Sequence, residues 1–162
     1  MNSFLNTSQL NVNSVLLQPI NNEFSEALTF CWHLRQGNCA SIDKCRLKLY
    51  SDWFYNNCLI HHFVFEEKFI FSHIQNNKEI FLKAKSYQRK LKRLFSDQKN
   101  IEKSINLIEE QLEAYVRFEK YKIYQIIINT IPYDQLFLIM KLYKENVIIK
   151  DWNDPFWTTI KN

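Results

Sequence analysis

The chain has a single glycine, Gly37, and three prolines in 162 residues. Sheets joined by hairpins, and α/β folds with a loop after every element, need many more turn residues than that. Their scarcity excludes those classes and leaves long helices joined by a few short connections. No cysteine pair has Cys-x-x-Cys spacing, and no histidine stands at zinc-finger distance from Cys31, Cys39, Cys45 or Cys58. A structural zinc site is therefore not expected, and reduced thiols in the cytoplasm are. The first twenty residues lack both the basic start and the continuous apolar run of a secretory signal. No stretch is long and apolar enough to span a bilayer. A formal charge of +4 makes no strong claim on nucleic acid.

What the sequence has in quantity is apolar and aromatic side chains, at 46% and 15% of residues, enough for one domain with a sizeable core. Residues 1–20 are rich in Asn and Ser and read as a loose arm, with Leu16, Leu17 and Ile20 available to pack; residues 21–162 read as the folded domain. Helix one is expected from about Asn22 to Arg35, with Phe24, Leu28, Cys31 and Leu34 as its stripe and Gly37 as its stop. Ser41 is the expected N-cap of a long second helix reaching about His73. The third is expected from about Lys78 to Phe95, with the stripe Phe81, Ala84, Gln88, Leu91 and Phe95. The fourth is expected from about Ile101 to Asn129, with the stripe Ile101, Ile105, Ile108, Leu112, Tyr115, Glu119, Ile123 and Ile126. Pro132 opens a short fifth helix through about Tyr143, and the aromatic tail Trp152 to Trp157 is expected to fold back. The expected class is all-α: an antiparallel four-helix bundle with a short fifth helix and a C-terminal tail.

In such a bundle the polar residues on apolar stripes carry the functional signal. His62 and Glu66 are four apart and share a helix face, offering an imidazole and a carboxylate together. Tyr115 and Glu119 repeat that spacing on helix four. Gln88 interrupts the stripe of helix three. The plain alternative for any one His-x-x-x-Glu pair is a solvated ion pair. His61 and Glu67 read as exposed neighbours, His33 and His73 as surface or boundary residues, and the run Lys83, Lys85, Arg89, Lys90, Lys92 and Arg93 as the wet face of helix three.

Several stretches carry a family resemblance. Cys31-Trp32-His33-Leu34-Arg35-Gln36-Gly37 resembles a "CWKIRQG" helix end. His62-Phe63 with Glu66-Glu67 and Phe69-Ile70-Phe71 resembles "HFxxEExxLF". Val116-Arg117-Phe118-Glu119 resembles part of "HIRFEE", and Trp152-Asn153-Asp154-Pro155-Phe156-Trp157 resembles an aromatic C-terminal tail. Together they resemble bacterial hemerythrin-like proteins of the HHE cation-binding type, from about Leu17 to Trp157. The resemblance implies a four-helix bundle around two irons, with His62, Glu66 and Glu119 at ligand positions. It also shows departures. The helix-one window Glu23-Phe24-Ser25-Glu26 holds no histidine, Gln88 and Tyr115 stand where histidines are expected, and Lys120 replaces the second acid of the last motif. Gln88 is a poor iron ligand and Phe24 none; Tyr115 binds only as phenolate. Yet His62, Gln88 and Tyr115 are good donors to carboxylates. The expectation is thus a buried polar network of His62, Glu66, Gln88, Tyr115 and Glu119 with no cofactor, in a non-enzymatic binding or regulatory module with a protein partner. The alternative is a residual non-heme iron protein for oxygen or nitric oxide sensing or iron handling, with His62, Glu66, Glu119, Tyr115 and Glu26 as ligands.

Overall fold

A computed structural model of the chain describes residues 15–146 and 151–160. Those residues are helical and contain no strand. Helix α1 is Gln18–Cys39. Helix α2 runs over residues 44–74, α3 is Lys78–Ser96, α4 runs over residues 101–130, and α5 is Tyr133–Asn146. A 3₁₀ turn, Phe156–Thr159, closes the described tail. No described helix is long and apolar enough to cross a membrane.

Helix α1 begins four residues before the expected Asn22, with Pro19 in its first turn, where a missing N–H costs nothing. This draws Leu17 and Ile20, assigned to the arm, into the core. Residues 1–14 of that arm lie outside the described residues. The buried face of α1 reads Ile20, Phe24, Ala27, Cys31 and Leu34. Leu28 is one position off that face and is exposed, against expectation. Gly37 does not stop the helix. It is buried inside α1, and a Cβ there would lie 2.5 Å from Leu47 Cδ2 and 3.0 Å from Phe156 Cε2. Gly37 is thus a close-packing residue, where α1 meets α2 and the tail.

Ser41 does not cap α2. It takes a left-handed φ of 56° in the connection, and Asp43 is the cap, its carboxylate accepting from the Arg46 N–H at 3.1 Å. Asn77 caps α3 in the same way through Ile80 N–H. Beyond Ile131, which is extended, Pro132 leads into α5.

Helix α4 packs along α1 and α3 and against the first part of α2. Phe24 of α1 meets Tyr124, Cys31 donates to the Glu109 carbonyl, Arg35 pairs with Glu109 and Glu113, and Asn38 bonds Asn106. The tail returns as expected: Phe156 is buried, and Arg46 pairs with Asp154. His33 is buried rather than at the surface, with Trp157 stacked on its ring at 3.6 Å. His73 is half-buried; His61 and Glu67 are exposed, and Lys85 and Lys92 pair with Glu67.

Helices α2 and α4 are not uniformly α. Tyr55–Leu59 and Glu66–Ile70 in α2, and Glu119–Ile123 in α4, are π turns. The wider turn retards the rotation of the helix. Its buried face therefore continues at four-residue steps, Glu66, Ile70, Ile74 and Glu119, Ile123, Ile127, leaving Ile126 half-buried.

Candidate functional site

Two of the three π turns begin at carboxylates. The Phe71 N–H donates to the Glu66 carbonyl and the Tyr124 N–H to the Glu119 carbonyl, each five residues on. Glu66 and Glu119 thus stand where α2 and α4 are locally rewound, a feature that recurs at functional positions. Both are buried, Glu66 at 0% exposure and Glu119 at 1%.

His62, one turn before Glu66, lies between them. Its Nε2 is 2.6 Å from Glu119 Oε1 and 3.6 Å from Glu66 Oε2, and its Nδ1 is 2.9 Å from Glu23 Oε2. Tyr115 donates its hydroxyl to Glu66 Oε2 at 2.5 Å. Gln88 donates its amide to the same oxygen at 2.9 Å and to the Tyr115 oxygen at 3.3 Å. The structure therefore brings together His62, Glu66, Gln88, Tyr115 and Glu119. Glu26 is exposed and outside this cluster; the acid that α1 contributes is Glu23. Glu23 flanks the apolar face beside Phe24, and in sequence a flanking acid looks like any solvated one.

The charges follow from this geometry. Burial alone would lower the His62 pKa, but the carboxylates of Glu23, Glu119 and Glu66 outweigh it and hold it well above the ordinary value. His62 is thus an imidazolium, donating from both nitrogens. Burial, reinforced by the Glu119 carboxylate, raises Glu66 well above the usual carboxylate range. Burial and the charges of Glu66 and Glu119 push Tyr115 up as well, keeping it a phenol. The raised Glu66 pKa reflects the cost of burying two carboxylates side by side, and His62 bonds the second of them, Glu119. Glu66 Oε1 and Gln88 Oε1 have no partner among the described residues.

Phe24 closes one side. Its ring sits edge-on to Tyr124 at 5.6 Å and to His62 at 6.4 Å. The donor set does not fit two irons. Beside the carboxylates of Glu23, Glu66 and Glu119 it offers only one imidazole, with both nitrogens facing carboxylates, a phenol whose proton is committed to Glu66, and an amide aimed by its nitrogen. A single cation has a closer match, since ligand atoms of His62, Glu66 and Glu119 all lie within 4.8 Å of one another. Comparison with family models, with curated proteins and with solved structures gives no match to this chain.

Proposed function

We propose that the chain is an antiparallel four-helix bundle of hemerythrin-like type in which protons and hydrogen bonds replace the iron centre, and that it acts in the cytoplasm as a non-enzymatic binding or regulatory module. The observation that carries this reading is the pair of donors on Glu66. Tyr115 and Gln88, at the positions where the resemblance expects histidines, both spend their hydrogens on that carboxylate. The contacts of Phe24 with Tyr124 and of Asn38 with Asn106 run in opposite senses along α1 and α4, which supports the antiparallel arrangement. All four cysteines are free, which suits a reducing compartment.

The cluster of His62, Glu66 and Glu119 favours a second reading, a residual mononuclear iron protein for gas sensing or iron handling. Iron analysis of protein from iron-supplemented cells separates the two. The metal-free reading expects well below one iron per chain and no visible bands. Stoichiometric iron that disappears in Glu66→Ala or Glu119→Ala would move the protein to the second class.

A further inference from the structure

A cavity of about 800 Å³ opens beside the buried cluster, between α1, α2 and the end of α5. This is the size of a small-molecule site. Its lining is ordered along the helices. At one end are Glu23 and Glu26, one turn apart on α1. Farther along α2 the wall turns aromatic, with Phe65, Phe69 and Tyr143. The Phe65 ring lies 5.5 Å from Phe69 and 4.6 Å from Tyr143, so the three form one surface.

Among the described residues neither end is fully satisfied. His62 holds one oxygen of Glu23, but Glu26 has no cation partner among the described residues. Burial, and then the neighbouring charge of Glu23, raise the Glu26 pKa. Cys58 lines the same end, and burial, followed by the charges of Glu26 and Glu23, lifts its thiol to about 12 and leaves it unreactive. On the aromatic wall Tyr143 is buried, and among the described residues its hydroxyl lacks the partner a buried hydroxyl normally takes. Lys68 stands over the Phe69 ring at 5.0 Å, and Lys144 lines the rim near it. Lysines thus supply positive charge at the aromatic end, while at the acidic end His62 serves Glu23 and leaves Glu26 without a cation among the described residues.

We propose that this cavity binds a small organic monoammonium cation with an apolar or aromatic body, its ammonium between Glu23 and Glu26 and its body on Phe65, Phe69 and Tyr143. The two lysines disfavour a second cationic group, so diamines are the wrong shape of charge; anions meet the acidic end. The inference deepens the binding-module reading and holds whether or not the core takes up iron.

Calorimetric titration of the full chain at low ionic strength tests it with three probes: 2-phenylethylammonium, 1,5-diaminopentane and phenylacetate. Saturable binding is expected for the first, about tenfold weaker binding for the diamine, and none for phenylacetate. Glu26→Gln, a change at an exposed position, is expected to weaken phenylethylammonium about tenfold with unchanged thermal unfolding. No saturable binding of that amine, equal binding of phenylacetate or the diamine, or unchanged affinity in Glu26→Gln each overturns the assignment. None of these bears on the metal-free core, which iron analysis decides separately.

Discussion

His33 shows how much a single ring depends on the element that folds over it. Its Nδ1 lies 2.8 Å from the Tyr50 hydroxyl and its face is covered by Trp157. Burial lowers its pKa to about 4 from the ordinary 6.5. The unfolded chain therefore binds a proton between pH 6.5 and 4 that the folded chain refuses. Stability from this residue is complete above pH 6.5 and is lost as pH falls toward 4, by at most about 3 kcal/mol. Glu66 acts in the opposite sense. Its folded pKa is raised, so its contribution is complete below 4.5 and declines as pH rises through the folded value. The two overlap, and a difference measurement is needed. Parent minus His33→Phe, in denaturant unfolding at several pH values, should show a gap that shrinks as pH falls from 6.5 to 4. A pH-independent gap would show that His33 binds protons equally in the folded and unfolded chain, and that its burial does not tune it.

At the scale of elements, the π turns decide which side chains reach the centre, and Gly37 decides how closely α1 approaches α2 and the tail. Alanine at position 37 would gain about 1 kcal/mol of helix propensity. It would also place a methyl against Leu47 and Phe156, both fully buried with no room to retreat. Overpacking of this kind costs about 1–3 kcal/mol. Gly37→Ala is therefore expected to lower unfolding stability by about 0–2 kcal/mol, and a stabilised variant in a denaturant titration would contradict the tight contact. This position also marks where sequence reading stopped. A glycine after an amphipathic run signals a helix end, and nothing in the local pattern says that a distant phenylalanine needs the space. Helices α3 and α4 were legible because their apolar stripes are long and regular. Gln88, Tyr115 and Glu119 were legible as interruptions of those stripes. Glu23 and His33 were not, because their partners, His62 and Trp157, come from other elements. The π turns had no signal either: an inserted phase shift leaves the spacing of apolar residues within the range a plain helix allows.

For the whole molecule, the test is whether helices with this core composition can frame a metal centre. Phe24 of α1, Gln88 of α3 and Tyr115 of α4 surround the carboxylates of Glu66 and Glu119, with His62 between them. Phe24→His, Gln88→His and Tyr115→His together would replace a ring that blocks, and an amide and a phenol that donate hydrogen bonds, with three imidazoles. Glu66 would lose both of its hydrogen-bond donors. The metal-free triple variant should then be less stable than the parent, because a buried carboxyl without partners costs about 1–3 kcal/mol and a truncated core aromatic adds to that. Iron should restore what is lost, since a ligand that binds only the folded state stabilises it in proportion to the logarithm of its free concentration over Kd. The expected outcome is a triple variant that takes up iron, gains visible absorption and melts at a higher temperature with metal than without. The parent should show no iron-dependent change in melting. A triple variant that folds, as judged by circular dichroism, yet neither binds iron nor responds to it would show that the helices do not hold these positions at metal-bridging distance. The polar cluster would then be a core of its own kind rather than a converted iron site.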